Sequence, residues 1–173
     1  MTQTPLNSGV IVAKKTDKKS ILRFYKENHY PARFIGFDHC YLIKVDDNII
    51  ASVIISQGNK LQQVNPSTEH DSNNSYLNLP PNKTPYLLHA LLVAPNYRRL
   101  GYAEHLLSHA IINHQPLICF AQEPLRELYL NNGFIHIEDN SVSQYLPADF
   151  YSRFQQYSKN KPELRAFVHQ NLV

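Results

Sequence analysis

The chain alternates short, continuous apolar runs with segments in which apolar residues recur at helical spacing, which predicts strands and helices in alternation. The predicted strands lie at residues 9–14, 40–45, 49–56, 86–93, 117–121 and 134–137, and the predicted helices at residues 17–28, 101–115, 124–132 and 149–157. A further helical piece is predicted to begin at Pro162. This order of elements indicates a mixed α/β domain.

Cap and turn residues mark where these elements begin and end. Asp17 is predicted to cap the first helix, and residues 46–48 (Asp-Asp-Asn) tolerate turns, so the strands beside them are predicted to form a hairpin. Pro116 stops the helix that Gly101 opens, and residues 132–133 (Asn-Gly) supply a left-handed helix end. The predicted apolar faces are Ile21, Leu22, Phe24 and Tyr25 on the first helix, Ala103, Leu107, Ala110, Ile111 and His114 on the second, and Leu125, Leu128 and Tyr129 on the third.

Two segments depart from this alternation. Residues 57–85 are rich in Asn, Ser, Pro and Gln, and a connection of this length inside a compact domain is usually functional or disordered. Residues 138–173 are predicted to form a divergent, helical extension that packs on the sheet or on another subunit. The side chains expected to bury there are Leu146, Phe150, Phe154, Tyr157, Leu164 and Phe167.

Composition narrows the class of protein. A length of 173 residues with 43% hydrophobic residues suffices for one core, so we expect a single domain spanning residues 1–173. Basic residues are scattered along the chain, which does not favour a nucleic-acid partner. We find no secretory or membrane-spanning apolar segment and expect a cytoplasmic protein with no membrane partner. Cys40 and Cys119 lie in apolar runs, which predicts buried free thiols rather than a disulfide.

The most informative stretch is residues 87–103, LLHALLVAPNYRRLGYA, where an apolar run breaks at Pro95 and Gly101 then opens a helix. The first amides of a helix have no intrahelical partners and lie at the positive end of the helix dipole, so they suit a phosphate or diphosphate group. Gly101 has no Cβ, which lets a ligand approach its backbone closely. The segment therefore predicts an anion-binding strand, turn and helix.

Two motifs, in this order, resemble those of the GNAT N-acetyltransferase family. Residues 98–103 read R-x-x-G-x-A after V-x-P at residues 93–95, and they resemble the family's acyl-CoA-binding signature, R/Q-x-x-G-x-G/A. Residues 129–134, YLNNGF, resemble the family pattern Y-x-x-x-G-F at the expected distance. The resemblance covers about residues 9–137. It implies the GNAT fold, a mostly antiparallel, twisted sheet that is splayed at the cofactor strand pair, with helices on both faces.

The resemblance implies an N-acetyltransferase that moves an acetyl group from acetyl-CoA, its cosubstrate, to an amine by direct attack in a ternary complex. Loop amides would hold the diphosphate, and strand backbone would pair with the pantetheine arm. An amide near Leu92 or Val93 would stabilise the oxyanion. The implied cofactor-binding residues are Leu91, Leu92, Val93, Arg98, Arg99, Leu100, Gly101, Tyr102 and Ala103.

The resemblance also implies two catalytic residues. Tyr129 matches the family position whose phenol lies near the CoA sulfur, and a phenol with a pKa of about 10 can protonate the leaving thiolate at neutral pH; the alternative is an aromatic side chain that only packs on the sheet. His89 stands where arylalkylamine N-acetyltransferases carry one of two histidines, so it is the candidate base or proton relay. The companion position is Leu87, which leaves a structural or substrate-lining histidine and a water chain as the alternative.

Other polar residues give weaker signals. His105 and His109 are four residues apart, a spacing that can bind metal, but they face away from the predicted apolar stripe and lack a third ligand, so no metal is predicted. Glu123 and Arg126 could contact the substrate or CoA, although exposed charges are the ordinary state of such helix positions.

The acceptor is expected to be an amine on a small molecule or a peptide, bound by a monomer or a homodimer. The family often builds the acceptor pocket between the first helix and second strand, here residues 34–39, and from the loop after Ser56, so residues 57–85 are predicted to form a lid. The alternative function is a catalytically weak acyl-CoA-binding regulatory or sensor module, suggested by Leu87 in place of an acidic or second histidine residue.

Overall fold

The structure, a computed structural model, describes residues 9–32, 38–58 and 84–170. The predicted acceptor segment 34–39 and the predicted lid 57–85 lie largely outside the described residues. By their contacts the residues group into two compact units, one built from Met1–Ser56 and Leu88–His114, the other from Gln57–Leu87 and Gln115–Val173. The single-domain organisation remains a prediction.

The first unit contains the elements predicted for the start of the chain. They are β1 (Ile11–Val12), α1 (Lys18–Glu27), β2 (His39–Val45), β3 (Asn48–Gln57), β4 (Tyr86–Val93) and α2 (Tyr102–Asn113). The last residue of β3 and the first two residues of β4 group with the second unit. The strands are hydrogen-bonded in the order β1-β2-β3-β4, and β2 is antiparallel to both of its neighbours. β1 is shorter than predicted because the chain turns into a 3-10 helix at Lys15. Asp17 is the N-cap residue of α1, as predicted, but its carboxylate accepts the Lys14 N–H at 2.8 Å and makes no capping bond to the helix.

β2 and β3 form the predicted hairpin. Asp46 and Asp47 both have positive φ, 48° and 62°, which is the backbone of a type I′ turn. The side-chain amide of Asn48 donates to the Asp46 carbonyl at 3.0 Å. Short polar side chains tolerate this left-handed backbone, so the local sequence suffices to set the hairpin.

One face of α1 is buried in the first unit. Ile21, Phe24 and Tyr25 are buried there, and they pack with residues of β2, β3 and β4: Cys40, Leu42, Ile54, Ala90 and Leu92. Leu22 was predicted on this face but is 39% exposed. The prediction was wrong because consecutive helical residues are rotated by about 100°, which turns Leu22 out of the buried stripe.

The buried face of α2 overlaps with the predicted one, because Leu107, Ala110 and His114 are buried as predicted. Its buried residues are Tyr102, Leu106, Leu107 and Ala110. Ala103 and Ile111, which were predicted on this face, are only partly buried. The buried row follows a spacing of four residues that starts at Tyr102 and ends at His114, just past the helix, whereas the prediction started one residue later.

Histidine and tyrosine side chains of β2 and α2 form a cluster. The Tyr41 hydroxyl lies 2.7 Å from His114 Nε2, the His39 and His114 ring centroids are 4.8 Å apart, and the Tyr41 and His109 centroids are 4.6 Å apart. His105 Nδ1 is also buried. The prediction that His105 and His109 face away from the buried side was therefore wrong, because β2 covers this part of α2.

The cluster predicts a pH-dependent stability. Burial, with His39 and His109 nearby, lowers the pKa of His114 from 6.5 to about 4. The unfolded chain takes up this proton more readily than the folded chain, so stability is present above pH 6.5 and is lost as the pH falls toward 4. We expect the free energy of unfolding to fall by about 2 to 3 kcal/mol between pH 6.5 and pH 4 because of His114.

Urea unfolding at several pH values measures this loss. His114→Gln keeps an acceptor for the Tyr41 hydroxyl but cannot titrate, so its unfolding free energy should depend less on pH than that of the wild type. Equal pH dependence in the two proteins would contradict the assignment to His114.

The second unit holds the remaining elements. They are β5 (Leu117–Gln122), α3 (Arg126–Asn131), β6 (Ile135–Ile137), α4 (Val142–Tyr145), α5 (Ala148–Ser158) and β7 (Leu164–His169). The strands are ordered β5-β7-β6, and β7 is antiparallel to both neighbours. Pro124 lies in a 3-10 turn that leads into α3. The alternating strands and helices of the two units confirm the predicted mixed α/β class.

The helical piece predicted to begin at Pro162 is wrong, because Leu164–His169 form the strand β7. β7 lies between two other strands, and both of its faces carry buried residues, among them consecutive Phe167 and Val168. A short apolar run without alternation cannot be distinguished from a helix by periodicity. The predicted helical extension therefore holds for α4 and α5 only.

An apolar core forms between the sheet and α5 in the second unit. It contains Leu87, Ile118, Ile137, Val142, Leu146, Phe150, Ala166 and Val168. Phe150 is buried and Phe154 partly buried, as predicted for the C-terminal segment. Two side chains predicted to be buried in this unit are exposed: Leu125 is 45% exposed because it lies in the 3-10 turn before α3, and Tyr157 near the end of α5 is 47% exposed.

Both cysteines are buried with free thiols, as predicted. Burial raises the pKa of Cys40 to about 11 and raises the pKa of Cys119 well above its ordinary value. None of the helices in the described part of the chain combines the length and apolar character that a bilayer crossing requires. Among those same residues, no three His, Cys, Asp or Glu side chains are grouped so as to hold a metal ion.

Candidate functional site

β4 contains an abrupt change of backbone direction at Ala90. This residue has a φ of 54°, a conformation that costs a non-glycine residue about 1 to 2 kcal/mol. The Ala90 carbonyl accepts the Tyr25 hydroxyl at 2.7 Å, inside the core of the first unit. The three residues that follow are the predicted cofactor-binding segment, of which Leu92 is buried while Leu91 and Val93 are partly exposed.

The turn after β4 is fixed by hydrogen bonds. The Ala94 N–H donates to the Ile50 carbonyl of β3 at 2.8 Å, and Pro95–Tyr97 form a 3-10 helix. The Arg98 guanidinium Nε donates back to the Val93 carbonyl at 3.1 Å. Arg98 is exposed, so its side chain closes the turn while its charge stays in contact with solvent.

The backbone then turns left-handed twice before α2. Arg99 has a φ of 60° and Gly101 a φ of 83°. Gly101 is the N-cap of α2, and its carbonyl accepts the first helical hydrogen bond from His105 at 3.0 Å. The amides of residues 102–104 therefore have no partner within the helix.

This arrangement fits a diphosphate. A left-handed turn followed directly by a helix start turns several N–H groups toward one point, where the helix dipole adds positive potential. Arg98, Arg99 and Leu100 are exposed around the turn, and two of them carry positive charge. Tyr102 is 7% exposed and packs edge-on against Tyr97, with the ring centroids 6.3 Å apart.

His89 lies on β4 just before the kink. Its Nε2 is 2.7 Å from the Ser56 hydroxyl at the end of β3, and both side chains are partly buried. Either atom can be the donor, which allows a neutral imidazole to exchange a proton through Ser56. Sequence reasoning missed Ser56, because nothing local links two residues that lie 33 positions apart.

Tyr129 belongs to the second unit, where two aromatic side chains pack against its ring. It is 4% exposed, stacks on Phe167 at 5.4 Å and meets Phe134 edge-on at 5.3 Å. The helix end behind it is held by Gly133, whose φ of 81° permits the Phe134 N–H to donate to the Tyr129 carbonyl at 3.1 Å. The Y-x-x-x-G-F motif is thus a tightly built helix end.

Glu123 and Arg126 form part of a charged cleft of about 510 Å³ in the second unit. Glu123 pairs with Arg126 at 3.3 Å and with Arg165 at 3.2 Å. The His136 side chain, which also lines the cleft, is 9% exposed, and its Nδ1 lies 3.4 Å from Oε1 of Glu138. Arg165 and His136 were missed in the sequence because β7 was interpreted as a helix and His136 stands alone in a short strand.

The predicted site residues divide between the two units. His89, Leu91–Val93 and Arg98–Ala103 follow one another in the first unit, where the turn after β4 joins the last two groups directly. Tyr129, Glu123 and Arg126 lie in the second unit.

Comparison with known proteins identifies the family. The model of the acetyltransferase (GNAT) family matches residues 13–134, more than half of the chain. No curated protein sequence matches. Among solved structures, a GNAT-family acetyltransferase from Staphylococcus aureus is 16% identical with a TM-score of 0.55, over 95% of this chain and 99% of that protein.

Two further structures share the fold and were solved with ligands. N-acetylglutamate synthase from Neisseria gonorrhoeae, complexed with coenzyme A and N-acetyl-glutamate, is 16% identical with a TM-score of 0.58, over 96% of this chain and 35% of that one. An Arabidopsis thaliana protein in complex with the bisubstrate analogue CoA-Ac-MVNAL is 11% identical with a TM-score of 0.57, over 96% and 100%. These likenesses show the predicted GNAT fold, and with the family match they establish that the chain belongs to the GNAT acetyltransferase family.

Proposed function

We propose that this protein is an N-acetyltransferase that moves an acetyl group from acetyl-CoA to an amine by direct attack in a ternary complex. The observation that carries the proposal is the left-handed turn at Arg99 and Gly101, which opens α2 immediately after the kinked strand β4. Such a turn offers backbone donors to a diphosphate and needs no particular side chain. Two solved relatives of the same fold contain coenzyme A or an analogue of it.

The cofactor contacts that we propose are mainly backbone contacts. The amides of Arg99, Leu100, Gly101, Tyr102 and Ala103 would hold the diphosphate. The backbone of Leu91–Val93 would pair with the pantetheine arm as an added strand, and Arg98 would add charge at the edge of the turn. Burial of the Leu92 side chain in the core supports backbone contacts, because it leaves the backbone groups of this residue for binding the cofactor.

For the chemistry, we propose that an amide near Leu92 or Val93 stabilises the oxyanion and that the Tyr129 phenol protonates the departing CoA thiolate. The packing of the Tyr129 ring against Phe134 and Phe167 supports this role, since an acid must be held in place to act. A tyrosine with an ordinary pKa would be protonated at neutral pH.

We further propose that His89, together with Ser56, accepts or relays the proton of the amine. We expect His89→Gln to abolish the acidic limb of the kcat/KM profile against pH, because an imidazole that titrates would no longer be present. Ser56→Ala should retain the limb at a shifted pH, since the imidazole would lose its 2.7 Å partner. If the limb in His89→Gln is the same as in the wild type, a water chain carries the proton instead.

The second candidate is an acyl-CoA-binding regulatory module with weak catalysis. It is favoured by Leu87, which stands where some relatives carry a carboxylate or a second histidine and which is 3% exposed in the core of the second unit. The hydrocarbon side chain of a leucine has no atom that can accept a proton. This module would use the same cradle around Gly101 and bind acetyl-CoA without transferring the acetyl group.

A panel of amines with acetyl-CoA and detection of released thiol distinguishes the two functions. The panel should contain small amines, amino acids and peptides with free amino termini, because solved relatives contain N-acetyl-glutamate or a peptide-bearing analogue. Sustained release that depends on one class of amine supports the enzyme. Tight CoA binding, measured by calorimetry, without release across the panel supports the regulatory module.

We propose a cytoplasmic, single-domain protein that acts as a monomer or homodimer.

A further inference from the structure

A buried hydroxyl of α1 contacts the strand proposed to bind the cofactor. Tyr25 is 1% exposed, and its hydroxyl donates to the carbonyl of Ala90 at 2.7 Å across 65 positions of sequence. Burial raises the pKa of Tyr25 well above its ordinary value of 10.0, so the phenol stays a donor at any ordinary pH. Titration of the phenol therefore does not break this bond near neutral pH.

The acceptor of this bond is the one residue of β4 with a positive φ. Alanine gains nothing from that conformation, because its Cβ is crowded by the following carbonyl, so something outside the residue must hold it. The Tyr25 hydroxyl is a side-chain contact at this carbonyl, and an Ala90 in the ordinary extended conformation would turn its carbonyl away from that donor.

The orientation of this carbonyl fixes that of the next amide. In a planar, trans peptide bond the C=O and the following N–H point in opposite directions. With the Ala90 carbonyl directed at Tyr25, the Leu91 N–H points away from Tyr25. Leu91 is the first residue of the segment Leu91–Val93, so the hydroxyl of α1 sets the direction in which that segment presents its donors.

We propose that Tyr25 is a positioning residue for acetyl-CoA: its hydroxyl holds Ala90 left-handed and thereby orients the Leu91–Val93 backbone toward the pantetheine arm. The inference rests on the proposed function, and it assigns to α1 a role in cofactor binding without contact with the cofactor. Ser52 and Cys40 lie beside this hydroxyl in the core, with the Ser52 Oγ and Cys40 Sγ atoms 3.3 Å apart.

The test removes only the hydroxyl. Tyr25→Phe should raise the Kd for CoA, measured by calorimetry, roughly tenfold, as expected for the loss of one buried hydrogen bond that orients a binding segment. The KM for acetyl-CoA should rise with it, while the KM for the amine stays unchanged. Tyr41→Phe is the matched control, because its hydroxyl is also buried and bonded at 2.7 Å, but to His114 just past α2. The control should lose similar thermal stability and keep wild-type CoA affinity.

A second substitution tests the route through Ala90. Glycine enters positive φ without a steric cost, so Tyr25→Phe combined with Ala90→Gly should recover CoA affinity to within about threefold of the wild type. Ala90→Val with Tyr25 intact should lose affinity, because a β-branched residue resists positive φ. If Tyr25→Phe alone does not fold, the double variant takes its place, and recovery of folding with CoA affinity supports the inference.

Each remaining outcome contradicts the inference. If Tyr25→Phe binds CoA as tightly as the wild type does, the hydroxyl is not needed for binding. The proposed function would be unaffected by that result, because the wild type still binds CoA. A loss that Ala90→Gly does not repair, or a double variant that fails to fold, would make Tyr25 a packing residue only. A wild type that binds no CoA would overturn the proposed function, and this inference with it.

Discussion

Gly101→Glu is expected to abolish measurable acetyl-CoA binding. The residue has a φ of 83° and caps α2 where the helix amides are unpaired. A side chain there would fill the space a diphosphate needs, and a carboxylate would add repulsion between like charges. Titration calorimetry with CoA measures the loss, and a thermal melt establishes that the variant is folded.

Gly101→Gln is the matched control, because it carries the same backbone strain and nearly the same volume without the charge. We expect weak but measurable binding in Gly101→Gln and a smaller loss in Arg98→Met, whose guanidinium lies at the edge of the turn and donates to the Val93 carbonyl. Retained affinity in folded Gly101→Glu would disprove the cradle. Equal losses in the glutamate and glutamine variants would show that the charge does not face a phosphate.

Tyr129→Phe should lower kcat by roughly tenfold to a thousandfold, while the Kd for CoA changes little. Phenylalanine keeps the ring that stacks on Phe167 and meets Phe134, so the packing of the helix end is preserved and only the acid is lost. Steady-state kinetics with the amine identified from the panel give kcat, and calorimetry gives the affinity.

The control for this change is Tyr157→Phe, a second tyrosine of the same unit that is 47% exposed and far along the chain from the motif. It should retain wild-type kcat. An unchanged kcat in Tyr129→Phe would return Tyr129 to the class of packing residues. A fall in kcat that is matched by a fall in melting temperature would indicate the same, because the loss would then follow from stability.

The local part of the fold could be predicted from the sequence. Asp46 and Asp47 tolerate positive φ, so the hairpin followed from the turn residues alone. Gly133 ends α3 in the same way. The turn and the helix start around Gly101 were also predictable, because a proline, a glycine and an amphipathic run lie within a few residues of one another.

The β7 strand could not be predicted in this way. This segment is a strand because it pairs with β5 on one edge and with β6 on the other, which depends on residues distant in the sequence. The spacing of Leu164 and Phe167 alone suits a helix. For the same reason the sequence did not reveal Arg165 of β7, whose side chain pairs with Glu123 and Asp139 in the charged cleft.

Contacts between residues that are far apart in the sequence were invisible for a related reason. Tyr25 and Ala90 are 65 residues apart, Ser56 and His89 are 33 apart, and Tyr41 and His114 are 73 apart. A tyrosine at helical spacing predicts a buried ring but not the atom that its hydroxyl reaches. Alanine has no preference for positive φ, so nothing in the residue type marks the kink at position 90.

The two buried thiols can be used to measure how fast the folded chain opens, because they react with a labelling reagent only when they are exposed. Only a thiolate reacts rapidly with a labelling reagent, and Cys40 and Cys119, 2% and 1% exposed with raised pKa values, are shielded while the chain is folded. The background in a thiol-release assay is therefore low. Because Cys40 lies in the first unit and Cys119 in the second, variants that keep one cysteine would give a labelling rate for each unit, and comparing the two rates tells whether the units open together or one before the other.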